Sequence, residues 1–236
     1  MHCVKVALLL LAAGRGTRFG GEVPKAFLSL GGKTLLLRSA ERLRQLCPMD
    51  QGELIVLVSA QDRATHLRPL TEPLAALGAH FVDGGDTRQQ SMQNGLAAAS
   101  KDCELVLIHD AARPLFPIAA ARECLRRAAE VGAALLAIPS PDTLKRVNAH
   151  GLVEATIDRT GVFCAQTPQV LRRDILVEAL DHARAVNFEA TDDVSLAEAI
   201  GCRVAVVTGS PQNLKITQKA DLAIAEALLR NFDPYS

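Results

Sequence analysis

The sequence has no tryptophan, one tyrosine and seven phenylalanines among its 236 residues. Proteins that hold single-stranded nucleic acid stack the bases on aromatic side chains, so this scarcity argues against that function. The chain also has no net charge, because 26 basic residues balance 26 acidic ones. Nucleic-acid polymers and anionic membranes favour proteins with a broad basic surface. We therefore expect neither a nucleic acid nor a membrane as partner.

Paired cysteines and long apolar runs are absent too. The six cysteines are scattered and form no C-x-x-C pair, which favours reduced thiols in a cytoplasmic protein. The amino-terminal apolar run follows Lys5, as in a short signal peptide, but it leads directly into a glycine-rich loop. It is also too short to span a bilayer. We expect a cytoplasmic location.

Short apolar runs alternate with segments of helical spacing along the whole chain. Such runs begin near Val4, Glu53, Ala79, Glu104, Ala133 and Arg203. They lack polar alternation, as strands covered on both faces do. Strands alternating with helices predict an α/β fold with a doubly wound, mainly parallel sheet, Rossmann-like and formed as a single domain over residues 1–236. Ligands of such sheets bind at the carboxyl ends of the strands.

Residues 139–169 interrupt this alternation. The segment has prolines at both ends, a strand-like centre and no helical spacing. Long excursions of this kind in a compact domain are usually functional or form interfaces. We predict a projecting β-arm over residues 139–165.

The glycine-rich loop after the first strand has three possible interpretations. A dinucleotide-binding fingerprint requires a third glycine where this chain has Phe19. A P-loop ending in the "GGKT" of 31–34 requires a glycine where the chain has Phe27. We expect "GGKT" to be a turn before a helix, with Thr34 as N-cap.

The third interpretation is a nucleotidyltransferase loop, A-A-G-x-G-x-R followed by P-K. Its elements are all in the expected order: Ala12, Ala13, Gly14, Gly16, Arg18, Pro24 and Lys25. Loop amides would wrap a nucleoside triphosphate, and the two cations would neutralise its phosphates. A mobile basic surface loop is the alternative.

Two polar residues end the run that begins at Glu104. The carboxylate of Asp110 would suit Mg²⁺, which prefers oxygen ligands shared with substrate phosphates. From position alone, a turn-capping aspartate is an equal alternative. We interpret His109 as a packed or hydrogen-bonded core group and not as a base.

Seven motifs in order resemble the 2-C-methyl-D-erythritol 4-phosphate cytidylyltransferase family. They are "AAGRGTRF…PKAF", "VDGGDTRQQSMQNGL", "HDAARPL", "DTLKRV", "DRTGVFCAQTPQV", "TDDVSLAEAIG" and "GSPQNLKIT". The resemblance implies a magnesium-dependent homodimer that makes a cytidine-diphosphate intermediate of the non-mevalonate isoprenoid route from CTP and a sugar-alcohol phosphate. Some relatives carry a second enzyme at the carboxyl end, and we expect none in this chain.

The resemblance also implies roles for individual residues. It gives Arg18 and Lys25 as catalytic cations and Asp110 as the Mg²⁺ ligand. The nucleotide would contact Ala12, Ala13, Gly14, Gly84, Gly85, Asp86 and Ser91. The acceptor would contact Arg113, Thr143, Thr167, Lys215 and Arg159, the last counted with the catalytic residues. Because Thr143 and Arg159 fall in the arm, which crosses to the partner subunit in relatives, we expect shared active sites.

The chain departs from the family at Gln212, where many relatives carry a carboxylate that a neutral amide replaces poorly as a metal ligand. Asp192 and Asp193 look like an acidic pair, but the better interpretation is that Thr191 and Asp192 cap the next helix. Two other functions remain open at this stage. One is a cytidylyltransferase for another polyol phosphate such as ribitol 5-phosphate, and the other is a nucleotide-binding protein without catalysis.

Overall fold

A central sheet of seven strands organises the protein, whose computed structural model describes residues 4–14 and 23–230. The strands of this sheet are β1 (Val6–Leu11), β4 (Gly52–Val58), β5 (Ala79–Asp83), β6 (Leu105–Asp110), β7 (Ala133–Pro139), β10 (Phe163–Arg172) and β11 (Val204–Thr208). Their order is β11-β7-β10-β6-β1-β4-β5. Six of the strands match the six apolar runs of the sequence.

One strand of the sheet departs from the parallel arrangement. The strand β10 runs antiparallel to both β6 and β7, whereas the other neighbouring strands pair in parallel. Its first seven residues, Phe163–Gln169, belong to the segment 139–169 that interrupts the sequence pattern. The prediction of a doubly wound, mainly parallel sheet is confirmed.

Helices cover both faces of the sheet. The helices are α1 (Leu35–Leu46), α2 (Ala60–Thr65), α3 (Thr71–Ala76), α4 (Arg88–Ala98), α5 (Ile118–Val131), α6 (Arg173–Ala185), α7 (Asp193–Ala199) and α8 (Lys219–Arg230). Alternate residues of β1 point into different cores, since Leu8 packs in a cluster with residues of α1 and α5, and Leu9 packs in a cluster with residues of α4, α6 and α7. Burial on both faces explains why the strands lack polar alternation.

The "GGKT" segment forms the turn predicted for it. Gly31 and Gly32 adopt positive φ angles of 54° and 79° between two short strands, β2 (Ser29–Leu30) and β3 (Lys33–Thr34). The side chain of Thr34 then accepts a hydrogen bond from the backbone of Leu37 and caps α1. The N-cap prediction is confirmed.

The arm consists of a two-stranded antiparallel hairpin, β8 (Leu144–Val147) and β9 (Val153–Ile157). The two ends of the range 139–165 belong to the central sheet, because Pro139 lies in β7 and pairs with Phe163 of β10. The part that projects is therefore the stretch between these two strands.

The order in which strands are added to the sheet reverses at β1. From β1 the chain proceeds to β4 and β5 on one side, and it then returns to place β6 on the other side of β1. A crevice forms at the carboxyl ends of strands where their order reverses in this way. In the described part of the chain, none of the helices has the length and apolar character needed to cross a membrane.

Candidate active site

A cleft of about 940 Å³ opens at this point of strand reversal. Residues from the ends of β1, β4, β5 and β6 line it, together with a segment that follows β11. The lining comprises Leu11–Gly14, Lys25, Ala26, Ser59–Gln61, Gly84–Arg88, Ser91, Asp110–Ala112, Lys215 and Thr217. The cleft thus lies at the carboxyl ends of the strands, where ligands of such sheets were expected.

The residues on either side of the glycine-rich loop, Ala12–Gly14 and Lys25, line the cleft. Ala12 is tied to the neighbouring strand because its amide donates to the carbonyl of Leu57 at 2.8 Å. On the other side of the loop, a short 3-10 turn over Lys25–Phe27 buries Ala26 and Phe27 in the core. This anchoring brings the half-buried Lys25 to the cleft wall. Arg18 and Gly16 lie outside the described residues.

The loop between β5 and α4 lines the cleft next to Ala13. The hydroxyl of Ser91 accepts from the amide of Gly85 at 3.0 Å and donates to the carbonyl of Thr87 at 3.0 Å. Gly84 approaches β1 so closely that a Cβ there would lie 2.3 Å from the Cβ of Ala13. The glycine is therefore required for the two loops to meet.

Asp110, at the carboxyl end of β6, is surrounded by three cations. Its Oδ1 accepts a hydrogen bond from Arg88, and its Oδ2 lies 2.7 Å from Nζ of Lys215 and 3.7 Å from Nε of Arg113. Burial by itself would raise the pKa of Asp110, but the charges of Arg88 and Lys215 outweigh it and hold the pKa far below its usual range. The carboxylate is therefore ionised at neutral pH.

His109 points away from the cleft into the core. Its Nε2 lies 3.1 Å from the carbonyl of Arg113, its Nδ1 lies 2.9 Å from the hydroxyl of Thr167, and its ring packs edge-on against Phe116. Complete burial lowers its pKa to about 3. Because a carbonyl only accepts, Nε2 carries the proton and Nδ1 accepts from Thr167. The prediction of a packed, hydrogen-bonded histidine is confirmed.

Comparison with known protein families gives a match over nearly the whole chain. The family model described as 2-C-methyl-D-erythritol 4-phosphate cytidylyltransferase matches residues 6–231. The chain belongs to this family. It is a nucleotidyltransferase, and its activity is the family's CTP-dependent transfer of a cytidylyl group to methylerythritol phosphate in isoprenoid biosynthesis.

Individual relatives support the assignment over nearly the full length. The chain is 37% identical to a 2-C-methyl-D-erythritol 4-phosphate cytidylyltransferase of Solibacter usitatus, covering 96% of both chains. It is 41% identical to the protein of that name from Chromobacterium violaceum, covering 96% of this chain and 99% of the relative. The solved structure of the Thermus thermophilus enzyme superposes with a TM-score of 0.79 at 36% identity, covering 96% of this chain and 100% of that one.

Two of the acceptor residues expected in this cytidylyltransferase lie directly behind Asp110. The hydroxyl of Thr167 accepts from the amide of Asp110 at 3.1 Å while it donates to His109, and it is buried. Arg113 donates to the carbonyl of Asn213 at 2.8 Å. Among the described residues, neither Thr167 nor Arg113 belongs to the cleft lining. In this structure both contact Asp110 from behind, Thr167 through the backbone amide and Arg113 through the carboxylate.

Of the other three expected acceptor residues, Lys215 lines the cleft, and Thr143 and Arg159 lie in the arm. Thr143 precedes β8, and Arg159 follows β9 and donates to the carbonyl of Pro141. Within the described part of one chain, these two residues are not brought to the cleft that holds Lys25 and Asp110.

Several residues that line the cleft were not predicted from the sequence. Arg88 reaches Asp110 from the first turn of α4, and Ser59 and Gln61 line the cleft after β4. A signal for Arg88 does exist, because it directly follows the turn "DGGDT", whose residues Gly84, Gly85 and Asp86 the resemblance assigns to the nucleotide. Ser59 instead has the pattern of a helix cap, which it also is.

The structure also places Gln212 and the neighbouring aspartates Asp192 and Asp193. Gln212 is exposed in a turn, where its backbone amide donates to the hydroxyl of Ser210. Asp192 caps α7 through a reciprocal capping box with Ser195, as predicted. Asp193 has a different role, because it is buried and forms an ion pair with Arg88.

Proposed function

We propose that this cleft is the place of cytidylyl transfer and that Lys25, with Arg18, stabilises the charge that develops on the α-phosphate. The observation that carries the proposal is the convergence of Lys25, Asp110 and Lys215 on one cleft that Ala12–Gly14 also line. The attacking group is an ionised phosphate monoester, so the reaction requires no general base. Oriented cations are the main requirement for such a phosphoryl-centred displacement.

The wall formed by Ala12–Gly14 and by the loop after β5 is the proposed nucleoside subsite. Two observations support it. The hydroxyl of Ser91 fixes the loop at Gly85, and Gly84 packs closely against Ala13. Exposed backbone groups of glycines can meet the polar edge of a base. A narrow pocket would accept a pyrimidine and exclude a purine by size.

Mg²⁺ is the metal that this donor set fits. In the described part of the chain, no group of three or more acidic, histidine or cysteine side chains is placed to hold a metal. A single carboxylate is nevertheless enough for Mg²⁺, which takes its other ligands from phosphates and water. Asp110 is ionised and faces the cleft, so we assign it this role. The bound metal would neutralise charge on the triphosphate, while Lys215 could turn from Asp110 toward a phosphate.

We also propose that the arm completes the active site of a partner subunit in a homodimer. Apolar side chains of the hairpin are exposed in the single chain, namely Val147, Leu152, Val153 and Ile157, and so is the nearby Phe163. Exposed apolar groups clustered on a projecting element are typical of an interface. Arg159 and Thr143 travel with this hairpin, so an arm that crosses would deliver both to the acceptor of the neighbouring cleft.

A cytoplasmic location fits the state of the thiols. Among the cysteines that the structure describes, Cys103, Cys124, Cys164 and Cys202 are free thiols. Free thiols persist in a reducing compartment.

Release of pyrophosphate tests the proposed site. Wild-type protein with CTP and Mg²⁺ should release pyrophosphate when methylerythritol phosphate is supplied, and not with ribitol 5-phosphate or with ATP in place of CTP. Lys25→Ala should lower turnover by about 10²- to 10³-fold, the usual cost of removing one donor that stabilises transition-state charge.

The matched control is Lys33→Ala, which removes an exposed lysine paired with Glu41 and should leave turnover unchanged. Folding of both variants is checked by circular dichroism. Near-normal turnover in folded Lys25→Ala would contradict the assignment of Lys25, and release with ribitol 5-phosphate alone would contradict the acceptor.

A further inference from the structure

Arg88 lies between two carboxylates at the back of the cleft. Its Nε and Nη2 donate to the two oxygens of Asp193 at 3.1 and 2.6 Å, and its Nη1 donates to Oδ1 of Asp110. One planar guanidinium therefore joins α4, β6 and α7. A lysine, whose single nitrogen lacks this fork, could not form the same three hydrogen bonds with the same geometry.

Asp193 is itself fixed from the central sheet. It is the first residue of α7, and its amide donates to Oε1 of Gln169 at 2.9 Å, as does the amide of Val194 at 3.0 Å. The amide nitrogen of Gln169 donates to Asp192 at 2.9 Å. Gln169 lies in β10, directly beside Ile108 of β6. A continuous set of hydrogen bonds thus runs from β10 through Asp193 and Arg88 to Asp110.

The charges along this path have a consequence for Asp110. Asp193 is buried and takes two of the three hydrogen bonds that Arg88 makes to the carboxylates. Arg88 therefore divides its positive charge between the two carboxylates and does not neutralise Asp110 alone. Without the charge of Asp193, the whole positive charge of Arg88 would face Asp110 and compete with any cation that Asp110 binds.

We propose that Arg88 and Asp193 are positioning residues that orient the Asp110 carboxylate and preserve its negative charge for a divalent cation bound with the CTP phosphates. The proposal rests on the role of Asp110 as Mg²⁺ ligand given above and names the groups that make this role possible. Residues that hydrogen-bond a metal ligand typically change metal affinity by about 10- to 100-fold when they are replaced.

Calorimetric titration of CTP without acceptor tests the proposal apart from catalysis. The CTP dissociation constant is measured in EDTA and at saturating Mg²⁺, and the ratio of the two is the magnesium enhancement. In Asp193→Asn we expect this enhancement to fall by about 10-fold or more, with metal-free CTP affinity within about 2-fold of wild type, because the triphosphate contacts stay in place. The matched control is Asp174→Asn, which makes the same change in the exposed pair with Arg172 and should leave the enhancement intact.

A second variant separates positioning from folding. Arg88→Lys keeps a cation beside Asp193, so it avoids an unpaired buried charge, but it loses the fork that reaches both carboxylates. It should show the same loss of magnesium enhancement while the thermal unfolding midpoint shows that the protein stays folded.

The outcomes separate this proposal from the one on which it rests. Wild-type enhancement in folded Asp193→Asn or Arg88→Lys overturns the positioning role, even if either variant melts at a lower temperature. Absence of any enhancement in the wild-type protein instead overturns the assignment of Asp110 as metal ligand.

Discussion

His109 and Asp110 are neighbours in β6, but packing changes their pKa values for different reasons. The imidazole of His109 points into the apolar core, and burial lowers its pKa to about 3. Asp110 is buried too, but the positive charges of Arg88 and Lys215 lower the pKa of its carboxyl. Alternation along a strand sends adjacent side chains to opposite faces. At the end of β6, the side chain of His109 therefore packs in the core, and that of Asp110 faces the cleft.

The buried His109 makes stability depend on pH. Its pKa is near 6.5 in the unfolded chain and about 3 in the fold, so between these values only the unfolded state binds the proton. Acid therefore favours unfolding in this range, by up to about 1.4 kcal/mol for each pH unit. In His109→Gln an amide that does not titrate replaces the imidazole, and its nitrogen can still donate to the carbonyl of Arg113. We expect the wild type to lose about 1.4 kcal/mol more stability per pH unit than this variant below about pH 6.

Urea denaturation in EDTA, at several values between about pH 7 and pH 4.5, measures this difference. Asp110 does not disturb the comparison, because the stability from its lowered pKa is present above the ordinary aspartate pKa of 3.8 and is lost only below it. Parallel pH dependences of the two proteins would mean that His109 is already protonated in the fold or is accessible to water.

At the scale of elements, the structure adds a strand that hydrophobic patterning does not reveal. The strand β10 carries three buried polar side chains, Gln166, Thr167 and Gln169. Their hydrogen-bond partners lie far away in the chain, at Asn213 for Gln166, at His109 for Thr167 and at α7 for Gln169. A polar residue in the core is tolerated only when such partners satisfy it. These groups come within hydrogen-bonding distance only when the chain folds. The local sequence of β10 therefore shows polar residues without their partners and does not resemble a buried strand.

The contact between the loop after β5 and the end of β1 leads to a prediction for nucleotide binding. In Gly84→Ala the new methyl group would lie 2.3 Å from the Cβ of Ala13 and 3.2 Å from Oγ of Ser91, so one of the loops must move. Such overpacking typically costs about 1–3 kcal/mol. We expect the CTP dissociation constant to rise by about 10-fold or more, measured by calorimetry.

A compensating change provides the control for this variant. Removing the opposing methyl group in the double variant Ala13→Gly/Gly84→Ala relieves the contact and should recover most of the lost CTP affinity. If the double variant binds CTP as weakly as Gly84→Ala, the clash is not the cause and the glycine serves another purpose.

At the scale of the whole molecule, one chain holds the two parts of the expected site in separate places. Lys25 and Asp110 line the cleft, and Arg159 lies at the base of the hairpin arm. Association of two chains through the arms would bring the parts together. In a symmetric dimer each arm would then serve the other subunit's cleft.

Mixing two inactive variants tests this sharing of sites. Lys25→Ala damages the cleft and Arg159→Ala damages the arm, and each alone should have little activity. After subunit exchange between equal amounts, half of the dimers are mixed, and one site in each mixed dimer combines an intact cleft with an intact arm. We expect recovery of about a quarter of wild-type turnover. If the arm serves its own subunit, the mixture stays as inactive as its components.

The sequence by itself determined the fold class, six strands of the sheet, the cap at Thr34 and the place where the cleft forms. These features depend on local signals, namely apolar runs, glycines and capping residues, and on the general rule that ligands bind at the carboxyl ends of parallel strands. Its ordered motifs also indicated the family that full-length comparison then established.

Only the tertiary structure placed β10 between β6 and β7, aimed His109 into the core and joined Arg88 to both Asp110 and Asp193. The residues of the last contact are 22 and 105 positions apart in the chain. Ion pairs and buried hydrogen bonds depend on distances of about 3 Å between such remote groups. Packing creates those distances, and no local pattern of residues encodes them.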